Sequence, residues 1–351
     1  MTALYAWGAN SHGQLGLGFV SEQVTMPTRV EDLPDNISEP SIRVAVGGGG
    51  HTFLLTAQGR LFGAGWNTSG QVGDGTQVRA VPGFQLIRGL EGHRMIGVAC
   101  GWAHSIALSQ SGQVWVWGSN SHGQLGLPKD EVPFTSLPIC LDLTNVVSVS
   151  AGLRHTAVAT RDGRAYTWGH GHRGQLGHID SEGQLVKLQP TPRVVDHIEG
   201  KVLSVSCGQN TTYALTAEGQ VLAWGDNKWG QLAHDPRADY GQLGPSEDEK
   251  EDSSSDTAAS EVLRKRCRYI PNCLTLNKSI RSVACGSEHN LAIIGNSGED
   301  GLLYSWGWNE HGNCGDGTTT NIHRPTRVPL PGNLQIIGAG SGHSFALVKL
   351  F

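Results

Sequence analysis

Apolar residues in this chain fall on a two-residue beat, in short bursts. Gln113-Val114-Trp115-Val116-Trp117 alternates polar and apolar positions, and Gln220-Val221-Leu222-Ala223-Trp224 has the same outline. Alternation of this kind puts every second side chain on one face of a pleated strand, so Trp115 and Trp117 share a packed face. Between bursts stand glycine-bearing turns: Gln58-Gly59, Ser111-Gly112, Asp162-Gly163 and Glu218-Gly219. Strands of period two separated by such turns predict antiparallel hairpins.

The hairpins belong to a larger unit: a short apolar strand, Gly-x-x-His, a second apolar strand, a turn, and a third strand ending in Trp-Gly. The clearest copy continues from Trp117 to Gly126 as WGSNSHGQLG. Related decamers begin at Trp7, Ala64, Trp168, Trp224 and Trp306. Successive copies lie 57, 53, 51, 56 and 82 residues apart. With a further strand after each GQLG loop, one unit makes four strands, which is one blade of a β-propeller. The chain therefore reads as all-β, a single propeller domain over 1–351 with six four-stranded blades by repeat count.

The last unit, from Ile337, stops before any Trp-Gly, and Ala3-Leu4-Tyr5-Ala6-Trp7-Gly8 matches the strand it lacks. The N-terminal strand is thus expected to complete the C-terminal blade and close the ring. Inside the 82-residue interval an orphan, Ala238 to Gly244, carries the end of the repeat without its start. We read it as the remnant of a further blade, with a junction near Asp235-Pro236. Residues 245–272 form an insert, acidic and serine-rich and then basic, expected to be solvated and partly disordered.

Composition changes this picture little. The chain has 49 glycines in 351 residues, consistent with many tight turns. A formal charge of −5 gives no electrostatic footprint for DNA or RNA. No apolar run is long enough to cross a bilayer, and a repeat beginning at Trp7 leaves no room for a targeting peptide. The expected compartment is the cytoplasm, with the nucleus as a second one. Cys100, Cys207 and Cys285 share a small packed column, and Cys267 and Cys273 match no zinc spacing. Neither a metal nor another cofactor is expected, and no catalytic constellation stands out.

Gly-x-x-His followed by an Ala-Leu strand and Trp-Gly-x-Asn-x-x-Gly-Gln-Leu-Gly resembles the regulator of chromosome condensation repeat. The resemblance covers nearly the whole chain outside roughly 245–275. It implies a propeller whose family norm is seven blades, one more than counted here. CGSEHNLAIIG, SWGWNEHGNCGDGT and AGLRHTAVAT narrow it to members that carry little besides the propeller. For those it implies guanine nucleotide exchange on a small GTPase, a role in protein secretion, and an exocyst subunit as a further partner. The bond-making chemistry would lie in the GTPase; a purely non-catalytic scaffold is the competing expectation.

Repeat columns explain most polar residues. His51, His104, His155, His289 and His343, with Thr211 in the same column, are expected to bond nearby backbone and pin their turns. Asn10, Asn67, Asn120, Asn227 and Asn309 are turn residues, as are Asp74 and Asp316. Residues that break their columns are the partner-binding candidates. Trp66, Trp102, Trp229 and Trp308 stand where other copies carry small or polar residues, and exposed tryptophan is a common interface anchor. Arg154, Glu288 and Glu310 add charge to the same loops.

Overall fold

The computed structural model describes residues 2–31, 33–35, 37–218, 221–226, 267–274, 280–287, 289–294 and 301–350. Within them the chain forms six four-stranded antiparallel sheets. From the channel outward, blade 1 is Ile42–Gly47, His51–Thr56, Leu61–Trp66 and Ala80–Leu86. Blade 2 is Met95–Cys100, His104–Ser109, Val114–Ser119 and Phe134–Cys140. Blade 3 is Val146–Ala151, His155–Thr160, Ala165–His170 and Leu188–Val194. Blade 4 is Val202–Cys207, Thr211–Thr216, Val221–Asp226 and Cys267–Leu274. Blade 5 is Ile280–Cys285, His289–Ile294, Leu302–Gly307 and Ile322–Arg327.

Blade 6 joins the two ends of the chain. Its inner strands, Asn333–Ala339 and His343–Lys349, are C-terminal; its outer strands, Thr2–Ala9 and Gln23–Arg29, are N-terminal. Thr2 pairs with Lys349, and the ladder runs to Gly8 opposite His343. Two N-terminal strands, one more than expected, therefore close the ring. Closure does not remove sheet edges, because every blade keeps an outer strand. Each outer strand instead carries proline: Pro27, Pro82, Pro138, Pro190 with Pro192, Pro271 and Pro325. A residue without an N–H spoils an edge as a template for further pairing.

The orphan at 238–244 and residues 245–266 of the insert lie outside the described residues. The insert ends earlier than expected, because Cys267–Leu274 is the outer strand of blade 4, paired with Val221–Asp226. There, pairing with the neighbouring strand overrides the composition that marked these residues as loop.

Apolar faces of neighbouring blades pack into clusters that sit between them. Phe53, Leu55 and Leu61 of blade 1 meet Met95, Val98 and Trp117 of blade 2. Trp7, Trp117, Trp168 and Trp224 are fully buried at these interfaces. Trp115 packs against the same cluster as Trp117 and leans on His93 with ring centroids 4.8 Å apart.

Candidate interaction face

Blade topology sends two kinds of loop to one face of the ring. The Gly-x-x-His turns end the innermost strands there, and the loops carrying GQLG leave the third strands on the same side. These loops first build the joints between blades. His104 Nε2 donates to Thr156 Oγ1 at 3.0 Å, and Thr156 donates onward to the Gln124 carbonyl at 2.7 Å. His51 with Ser105, His155 with Thr212, His289 with Ser344 and His343 with Thr52 repeat the arrangement at 2.9 Å. The histidine column thus bonds the next blade's hydroxyl. His51, His104 and His155 also feel the backbone of His104, His155 and Thr211 in the next blade, as the sequence led us to expect of a backbone partner.

Three consequences follow from that geometry. The hydroxyl's proton is taken by a carbonyl, so Nε2 must carry the ring proton and Nδ1 must be bare. Nδ1 of all five histidines is buried without a partner. Burial, with little relief from neighbours, pushes His51, His104, His155 and His343 down to about 3 and His289 to about 4. Glycine before the histidine is obligatory, since a Cβ on Gly101 would collide with the His104 imidazole.

The GQLG carbonyl is a double acceptor. Gln71 O takes the Ser105 hydroxyl and the Trp117 indole N–H at 2.8 and 2.9 Å. Gln124 O likewise accepts from Thr156 and Trp168, and Asn313 O from Ser344 and Trp7. The GQLG segment is therefore an inter-blade clasp. The asparagine column acts within its own loop: Asn120 Oδ1 accepts from Leu125 N at 2.9 Å, and Asn67 Oδ1 from Val72 N at 2.9 Å. Asp74 and Asp316 cap their turns by accepting from Thr76 N and Thr318 N.

With the repeat columns committed to joints and turns, the column-breaking residues are left on the surface. Trp102 is 41% exposed, and its indole lies over Gly49, where a Cβ would come within 2.8 Å of Cδ2. It meets half-buried Trp66 edge-on at 6.3 Å, and Trp66 in turn meets His12 at 5.5 Å. One aromatic track thus crosses blades 6, 1 and 2. Trp308 of blade 5, with its ring edge-on to His311 at 5.0 Å, covers the turn glycine Gly342 of blade 6. Arg154 and Glu310 are exposed on the same face. Trp229 and Glu288 lie outside the described residues.

Sequence reasoning missed a second group on this face. His122, His170 and His172 come together where blades 2 and 3 meet, with ring centroids 5.3 and 4.3 Å apart. His122 shares a column with His12 and His311, but His170 and His172 each stand alone in theirs, so no periodicity links the three. Among the described residues no group of three His, Cys, Asp or Glu is placed to hold a metal ion. The channel mouth, lined by turn residues of all six blades, holds a cavity of about 60 Å³. Small-molecule sites run to about 300 Å³ or more, so this mouth is no substrate pocket.

Comparison with known proteins agrees with this anatomy. An RCC1-like domain matches residues 3–238, and regulator of chromosome condensation (RCC1) repeats match 218–293 and 300–347. The secretion-regulating guanine nucleotide exchange factor of Bos taurus is 36% identical, covering 99% of this chain and 83% of the bovine protein. The human E3 ubiquitin-protein ligase HERC2 is 31% identical over 98% of this chain but only 6% of its own length. Prp20p from Saccharomyces cerevisiae shares the fold, with a TM-score of 0.75 at 23% identity, covering 100% of this chain and 92% of that one. The bovine alignment spans 405 positions, at least 54 more than the 351 residues here, which is one blade's length. This chain belongs to the regulator of chromosome condensation family, as a six-bladed propeller similar over its length to the secretion-regulating exchange factors.

Proposed function

We propose that this chain is a guanine nucleotide exchange factor for a small GTPase in the control of secretion, and that it engages the GTPase through the Gly-x-x-His face. The observation that carries the reading is the aromatic track His12–Trp66–Trp102: rigid, partly exposed anchors held by the turns rather than by the core. The guanine nucleotide exchange for which these relatives are named supports the choice of a GTPase. The mechanism is reciprocal coupling: a surface that binds the nucleotide-free GTPase better than the loaded form weakens nucleotide binding by the same factor. Opposing a tightly held nucleotide calls for an interface on the order of 2,000 Å². This chain would act by shape alone, with no covalent step. An exocyst subunit as a second partner, and the cytoplasm with the nucleus as its compartments, are finer parts of the proposal that rest on the family resemblance.

A non-catalytic scaffold is the second reading, favoured by the 54 or more alignment positions of the bovine protein that have no counterpart here. Release of fluorescent GDP from a panel of purified small GTPases separates the two. Acceleration for one member supports exchange; binding without acceleration supports the scaffold.

A further inference from the structure

We propose that the patch where blades 2 and 3 meet, built by His122, Arg154, His170, His172 and Arg173, docks an acidic segment of a protein partner. It lies on the same face as the aromatic track but stands on its own charges, and does not need the exchange reading. His170 and His172 are stacked at an interplanar angle of 21°, and His122 stands edge-on to His170. Three imidazoles and two guanidiniums thus crowd the ends of two adjacent loops and one turn.

Among the described residues, the charges that bear on these rings from outside the trio are positive. Arg154 and Lys129 bear on His122, Arg154 and Arg173 on His170, and Lys187 and Arg173 on His172. Burial first, then the neighbouring His172 and His122, and after them Arg154 and Arg173, hold His170 at about 4. The ion pairs among the described residues are Arg29–Glu39, Arg164–Asp162 and Arg193–Asp196, so none engages Arg154, Arg173, Lys129 or Lys187. Arg154, His172, Arg173 and Lys187 are exposed. Among the described residues these like charges have no counter-charge, and an anion supplied by a partner relieves the repulsion between them.

The same numbers choose a protein segment over nucleic acid. The chain as a whole carries −5. A long polyanion would meet that net charge on either side of the patch. A short acidic segment senses mainly what lies within a Debye length, about 8 Å at physiological salt. Guanidinium forks match carboxylates in bidentate geometry, and imidazole N–H groups add further donors.

Fluorescence anisotropy with a labelled oligoglutamate peptide tests the proposal on the full chain. Binding is expected to weaken as salt rises from about 50 to about 200 mM. Arg154→Glu with Arg173→Glu should weaken it by about tenfold or more. Arg88→Glu with Arg161→Glu, the same charge change at exposed sites on the opposite face, should have little effect. His172→Ala alone should give an intermediate loss, with thermal melting unchanged. Absence of peptide binding at the lower salt, equal binding by both charge-reversal pairs, or equally tight binding of a single-stranded DNA of matching length would overturn the proposal.

Discussion

Five joints of the ring and the sixth are built differently. From blade 5 through 6, 1, 2 and 3 to blade 4, each joint has a histidine on one side and a serine or threonine on the other. Between blades 4 and 5 the sequence places Thr211 in the histidine column and Asn290 in the hydroxyl column. In both columns the residue type changes, so the imidazole-to-hydroxyl pair of the other five joints has no counterpart in the sequence here. The same interval contains the 82-residue spacing and the orphan repeat. The ring thus teaches that a joint is specified by two columns one blade apart, and that both change together where the repeat array is interrupted. Gly208 and Gly286, from the two blades at this seam, still line one channel mouth.

Acid should expose this difference most strongly. The five joint histidines have folded values of about 3 to 4, against 6.5 when free. Between those limits the unfolded chain binds more protons, so stability rises with pH. The contribution is complete above 6.5 and is lost as pH falls towards 3. Five protons correspond to a limiting slope of about 7 kcal/mol per pH unit. Urea midpoints measured between neutral pH and mild acid should fall steeply. A flat profile would mean the histidines are already charged or solvated.

Single joints come next. Trp117→Ala removes a fully buried indole and its bond to Gln71, and should cost about 3–5 kcal/mol in urea unfolding. His104→Ala strips the proton donor from Thr156 and leaves a cavity beside Gly101, for a cost of about 2–4 kcal/mol. Thr211→Ala, in the same column at the seam, should cost only about 1 kcal/mol. Equal costs for His104 and Thr211 would erase the distinction between joint and seam. A subtler check is amide exchange in the free protein. Val202–Cys207 and Thr211–Thr216 of blade 4 should exchange faster than Met95–Cys100 and His104–Ser109 of blade 2. Smallest in stability is Trp102→Ala, expected within about 1 kcal/mol of wild type. Partner binding should nonetheless weaken by about 2 kcal/mol or more.

The blade plan was legible because the Trp-Gly and GQLG columns recur at nearly constant spacing. Closure was legible for the strand around Trp7, but Gln23–Arg29 carries no repeat signature and its pairing follows only from its neighbour. The joints were half legible. Histidine formed a visible column, but its acceptor lies 52 to 57 residues on, or 291 at the closing joint, and no local pattern links the two. Trp66 and Trp102 were recognisable as column breakers. Their mutual contact depends on the glycine run at Gly48–Gly50, whose missing side chains make room for both indoles. His122, His170 and His172 occupy different columns of their loops, so only the packing of blades 2 and 3 brings them together.

The most direct test of the functional account is a hydrogen-exchange footprint of this protein bound to the nucleotide-free GTPase whose GDP release it accelerates. Protection should fall on the Gly-x-x-His face, at 48–51, 66–70 and 101–104. Protection confined to the opposite turns, at 57–60, 110–113 and 161–164, would contradict the assignment of the aromatic track as the docking surface.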